Sequence, residues 1–122
     1  MRRPFFLDLR LIRLPVGGWV SILHRVSGAG LSLAVPGLLY LFMLSVRSPE
    51  DFARVANCLS GITGRLLLFG MLWGILHHLF AGLRHLGFDL GWGEEKTRAR
   101  QSAWAVLVLA GALALLITVG ER

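Results

Sequence analysis

Three stretches of this chain carry no Asp, Glu, Lys or Arg: Val26–Val46 (21 residues), Leu66–Leu83 (18) and Gln101–Gly120 (20). Hydrocarbon about 30 Å thick is crossed by about 20 apolar residues of helix rising 1.5 Å each, so every stretch has the length of a membrane span. The charges before residue 121 gather between these stretches, in residues 1–25, 47–65 and 84–100. A soluble domain carries about a quarter of its residues as charged side chains. This chain of 122 residues is 16% charged and 55% hydrophobic. A soluble enzyme, a disulfide scaffold and a disordered tail are excluded. The expected fold is an all-α membrane protein with three transmembrane helices over about residues 20–46, 64–86 and 101–120. They form a single membrane-anchor domain, 1–122, preceded by a cytoplasmic or interfacial tail over 1–18.

Lys and Arg near span ends set orientation, because they are retained on the cytoplasmic side. Arg2, Arg3, Arg10, Arg13 and Arg25, with Arg84, Lys96, Arg98 and Arg100, give nine on one side. Arg47, Arg54, Arg65 and Arg122 give four on the other. The N-terminus is therefore expected in the cytoplasm and the C-terminus outside. Trp19, Trp92 and Trp104 fall near the cytoplasmic boundary, where indole rings prefer to sit. The net charge of +6 would suggest nucleic acid in a soluble chain. Here it is the ordinary positive-inside excess; the partner is membrane lipid, and no nucleic acid is expected. One cysteine, Cys58, supports neither an internal disulfide nor a metal site.

The tail alternates apolar and polar residues, and Pro15, Gly17 and Gly18 are expected to break it before the first span. Met1-Arg2-Arg3 is a weak match to an export signal, but Asp8, Arg10 and Arg13 interrupt the apolar region such a signal needs. Ser48-Pro49-Glu50-Asp51 has a capping Ser, Pro at the first helical position and an acid three residues after the cap. Phe52, Val55, Ala56 and Leu59 then recur at i, i+3, i+4 and i+7, predicting a short amphipathic helix in the outer loop. Gly87 to Arg100 reads as a solvated loop, and Pro36-Gly37 as a kink in the first span.

Ionisable residues inside a membrane are costly and mark function by default. His77 and His78 lie well inside the second span with no acid within a turn. Haem iron is the natural partner for a neutral imidazole there. Gly74 and Gly82, four residues either side of His78, leave room for a flat macrocycle or for a second helix. His77 is flanked instead by Trp73 and Ala81. A haem held by two histidines needs a second ligand at equal depth. His24 and His85 both fall close to the cytoplasmic surface, so that ligand is expected from another subunit or a second copy. A polar-small stripe, Ser21, Arg25, Gly28 and Ser32, enters the first span. Its hydroxyl and guanidinium suit a quinone head group or a haem propionate; equally, Arg25 reads as snorkelling to lipid phosphates. Arg84, His85 and Asp89 close the second span, either as the polar edge of a haem site or as positive-inside anchors.

Arg3-Pro4, Leu7-Asp8-Leu9, Ser21-Ile22-Leu23-His24-Arg25-Val26-Ser27-Gly28, then His78 with Gly82-Leu83-Arg84-His85 and Asp89, together resemble the cytochrome b subunit of bacterial succinate dehydrogenase. The resemblance covers nearly the whole chain and keeps the motif order. It implies a multi-pass subunit of the bacterial inner membrane, paired with a second small three-helix membrane subunit. The pair would hold one haem b and anchor an iron–sulfur subunit and a flavoprotein subunit. By position, the resemblance makes His78 the axial haem ligand, one of the two bonds to haem iron. It places His24 and Arg25 near the haem propionates, and Ser21 and Arg25 in the quinone site; His85 shares a helical face with His78, which would put it at the edge of a haem held there. His77 stands where the family pattern has an aromatic. This chain would do no carbon chemistry: it would hold quinone for electrons arriving from succinate. A fumarate reductase anchor and a haem-free structural or assembly protein are the rival readings.

Overall fold

The computed structural model describes residues 13–120. The Arg3-Pro4 and Leu7-Asp8-Leu9 motifs, most of the tail and Arg122 lie outside the described residues. Four helices follow in chain order: α1 (Val16–Arg47), α2 (Pro49–Ser60), α3 (Ile62–Asp89) and α4 (Lys96–Gly120). Among the described residues there is no strand. α1, α3 and α4 are long and apolar enough to cross a membrane. Their positions agree with the three uncharged stretches, and all three extend beyond them into charged sequence.

Two boundaries differ from expectation. Gly17 and Gly18 do not break the chain: Pro15, with φ −66° and ψ 160°, is the N-cap, and its carbonyl accepts from the Gly18 N–H at 2.9 Å. Glycine is tolerated in a first turn, where several N–H groups have no helical partner anyway. The loop between the second and third spans is also shorter than Gly87 to Arg100. α3 continues through Asp89, and Arg84 lies over the Phe88 ring at 4.4 Å. Gly91 and Gly93, at φ 77° and 73°, make the turn that follows. These left-handed conformations favour glycine because it has no Cβ to clash.

The short helix between the first two spans forms as its sequence predicts. Ser48, extended at φ −157°, breaks α1 from α2, and its side chain accepts from the Asp51 N–H at 3.1 Å. The buried Asp51 carboxylate takes Arg47 at 2.6 Å and Arg54 at 3.4 Å. The Arg47 hydrogen bond, first among the causes, holds this carboxyl below its usual range, against the opposing effect of desolvation. Val55 and Leu59 are half-buried, whereas Phe52 stays exposed.

Packing follows membrane rather than aqueous logic. Large apolar side chains point outward, with Leu33 83% and Ile62 75% exposed. The buried core is mostly small: Ala81, Ala103, Ala110 and Ala114, with Val20, Val106 and His77. Lipid is as apolar as leucine, so helices gain by close approach through small residues. Ala103, Val106, Ala110 and Ala114 follow i, i+3, i+7 and i+11, forming the α4 face that packs inward. Pro36 lies within a continuous α1.

Candidate functional site

The two adjacent histidines of α3 face different surroundings. His77 is fully buried in the bundle and stacks on Trp73, with centroids 5.0 Å apart and planes 18° from parallel. Neither of its ring nitrogens has a hydrogen-bond partner among the described residues. His78 is half-buried and faces α1. Its Nδ1 lies 3.1 Å from the His24 carbonyl oxygen and 3.3 Å from the Ser27 Oγ. A carbonyl only accepts, so this contact selects the tautomer that carries its proton on Nδ1 and a lone pair on Nε2. Ser27 in turn donates to the same carbonyl at 3.0 Å.

Close approach of α1 to α3 makes this arrangement possible. A Cβ added at Gly28 would lie 2.8 Å from His78 Cε1, so only glycine seats the ring without displacement. Across the same contact, a Cβ at Gly82 would come 3.5 Å from His24 Nε2, and one at Gly74 3.9 Å from a Leu31 methyl. Of the two uses open to the Gly74 and Gly82 face, the structure therefore shows the second: α1 of the same chain lies against it.

His24 is not at a separate level from His78. Its ring stacks on His78 with centroids 4.2 Å apart and planes 12° from parallel, and lies 5.2 Å from His85 at 53°. Three histidines thus form one cluster at the α1–α3 contact. Residue counts along each span do not show this, because the close approach of α1 to α3 at Gly28 and Gly82 decides which residues meet. Ser21 is half-buried and Arg25 exposed, each on α1 within one turn of His24. Among the described residues, neither side chain forms a hydrogen bond or ion pair that would occupy it.

Arg84 leaves the histidine cluster. Its Nε donates to Ser102 Oγ at 3.0 Å and its second guanidinium nitrogen to the Ala99 carbonyl at 3.1 Å, tying α3 to the start of α4. Sequence reasoning grouped Arg84 with His85 and missed this bond. It also missed the part played by Ser27 and the His24 carbonyl, although both lie inside the Ser21–Gly28 motif. Asp89 is exposed and pairs with no cation among the described residues.

Residues 1–119 match the family described as succinate dehydrogenase/fumarate reductase transmembrane subunit. The chain is 33% identical over 114 residues to the succinate dehydrogenase cytochrome b556 subunit of Paracoccus denitrificans, covering 93% of this chain and 88% of that one. It is 39% identical over 110 residues to the cytochrome b556 subunit of Coxiella burnetii, covering 88% and 87%. Similarity extends to the cytochrome b560 subunit of Reclinomonas americana, at 34% over 115 residues, covering 90% and 80%. Three apolar helices and these relatives together make this a multi-pass membrane protein, consistent with the bacterial inner membrane. The chain belongs to the transmembrane-subunit family of succinate dehydrogenase and fumarate reductase, as a succinate dehydrogenase cytochrome b membrane anchor.

Proposed function

We propose that this chain supplies one axial ligand to a haem b shared with a second small membrane subunit, and donors to an adjacent quinone-reduction site. The observation that carries the reading is the state of His78. Its Nδ1 is engaged by the His24 carbonyl, while Nε2 makes no hydrogen bond among the described residues. A metal-binding histidine characteristically gives its other ring N–H to a carbonyl or carboxylate, which fixes ring orientation and tautomer. The residues present fit haem iron.

His77 does not compete for that role. It is enclosed by its own chain, with 0% exposure, so a macrocycle has no approach to its ring. His24 is excluded as the opposing ligand for a different reason. Rings stacked face to face, 4.2 Å apart and 12° from parallel, lie side by side and do not aim their nitrogens at one point from opposite sides. The second ligand therefore comes from the partner membrane subunit. His24, His85 and Arg25 are the groups of this chain suited to the haem propionates, because imidazole and guanidinium N–H groups donate to carboxylate. Haem b bound there would take up and release single electrons.

Quinone binding is assigned to Ser21 and Arg25. The Ser21 hydroxyl donates to a quinone carbonyl oxygen, and the Arg25 guanidinium supplies positive charge where that oxygen becomes negative during reduction. Donors placed in advance at a charge-developing oxygen are worth about 3 kcal/mol each. Both residues lie on the side with nine cations, the proposed cytoplasmic face, where an iron–sulfur subunit and its flavoprotein would dock to deliver electrons from succinate. The test is the reduced-minus-oxidised spectrum of the purified complex, taken with its subunit composition. One low-spin haem b per complex of four different subunits is expected. A four-subunit complex without haem absorbance would leave only the anchoring role.

A further inference from the structure

We propose that the cleft between the start of α1, the end of α3 and the start of α4 binds the headgroup phosphate of an anionic phospholipid. This cavity of about 630 Å³ is lined by the cations Arg84, Lys96 and Arg100 and by the apolar surfaces of Pro15, Val16 and Trp104. It lies away from the histidine cluster, on the α4 side of α3. Arg84 is half-buried and held by Ser102 and the Ala99 carbonyl, both neutral acceptors, and no carboxylate pairs with it among the described residues. Among the described residues the ion pairs are Arg47 and Arg54 with Asp51, and Arg98 with Glu95. None reaches the three cations of the cleft.

Three like charges around one cavity repel one another, and a partly buried guanidinium loses part of its hydration. An anion seated among them relieves both penalties. The apolar wall decides which anion. α3 and α4 pass between charged and uncharged sequence at Arg84 and Arg100, both of which line this cleft, and Trp104 has the interfacial position that indole prefers. A phosphodiester with attached acyl chains fills the cationic and apolar parts together, whereas a free phosphate uses only the first. A zwitterionic headgroup would bring its own ammonium against three cations.

The experiment compares the assembled complex with its Lys96→Gln/Arg100→Gln variant, leaving Arg84 in place because it joins α3 to α4. Each complex is purified in detergent, incubated with phosphatidylglycerol, and its retained lipid counted by native mass spectrometry. Melting is then measured in nanodiscs of phosphatidylglycerol, in nanodiscs of phosphatidylcholine, and in phosphatidylcholine with added inorganic phosphate. A cation beside an anionic lipid contributes about fivefold in affinity, so the double variant is expected to hold phosphatidylglycerol about thirtyfold more weakly. The wild type should melt higher in phosphatidylglycerol than in phosphatidylcholine, and the variant should lose that difference. Unchanged lipid retention, or an unchanged difference in melting, would overturn the proposal. So would equal destabilisation of the variant in both lipids, which would mean that the cations face a protein carboxylate. Equal stabilisation of the wild type by inorganic phosphate would reduce the cleft to a simple anion site and also overturn it.

Discussion

Gly28→Ala tests the seat of His78 with a single methyl group. The added Cβ would lie 2.8 Å from Cε1 and 3.3 Å from Nδ1, against the 3.4 Å at which ordinary contact begins. The shortfall to Cε1 is about 0.6 Å. The ring cannot retreat freely, because one face stacks on His24 at 4.2 Å and Nδ1 is held by the His24 carbonyl at 3.1 Å. Either His78 turns away from that carbonyl or α1 moves away from α3. Overpacking of this kind costs about 1–3 kcal/mol, and both routes disturb the orientation of Nε2. Haem content per complex, the reduced-minus-oxidised spectrum and thermal melting of the purified complex are the readouts. The variant should melt lower and show reduced or high-spin haem. Gly30→Ala is the control, since nothing lies within 4 Å of its added Cβ. It should leave the spectrum unchanged. A Gly28→Ala complex with wild-type haem and wild-type melting would refute the close contact between α1 and His78.

His77→Phe should keep the haem spectrum and melt at or above the wild type, because it removes two buried ring nitrogens that lack partners. Loss of haem in that variant would reverse the assignment of the two histidines. Arg84→Met should lower stability by about 1–3 kcal/mol through loss of the Ser102 and Ala99 bonds, read by chemical or thermal unfolding. Ser21→Ala and Arg25→Leu should each lower succinate–quinone turnover about a hundredfold while dye reduction persists in the assembled complex. Normal quinone turnover with Arg25→Leu would leave that side chain as a lipid anchor. Asp51 has a depressed carboxyl pKa, so its support of α2 is present above the unfolded value of about 3.9 and is lost as pH falls through the lower folded value. Amide exchange over residues 49–60 should accelerate in that acid range, and Asp51→Asn should flatten the dependence.

The spans were legible because hydrocarbon admits few charges and fixes a minimum length, and α2 because Ser48, Pro49 and Asp51 are strong local signals. Helix ends were less legible. Gly17, Gly18 and Gly87 are weak helix formers, yet Pro15 caps α1 and Phe88 anchors the last turn of α3 under Arg84. A local cap in one place and a pair one turn apart in the other override propensity. Within the site, the Ser21–Gly28 and His78–His85 motifs identified the residues, but not how they meet. The stack of His24 on His78 depends on Gly28 and Gly82 standing opposite imidazoles across a helix crossing, which spacing along one chain does not encode. Arg84 illustrates the same limit. Its partners, Ser102 and the Ala99 carbonyl, lie 15 to 18 residues away in an adjacent helix.

The most direct test of the account is a ligand-replacement experiment on the four-subunit complex. His78→Gly removes the imidazole proposed to bond haem iron through Nε2. The difference spectrum and low-temperature electron paramagnetic resonance of the variant should show haem that is lost or no longer low-spin. Adding free imidazole during assembly should restore the low-spin signature, while the same treatment of His77→Gly should change nothing. A His78→Gly complex that keeps wild-type low-spin haem without added imidazole would contradict the claim that this chain ligates haem through His78.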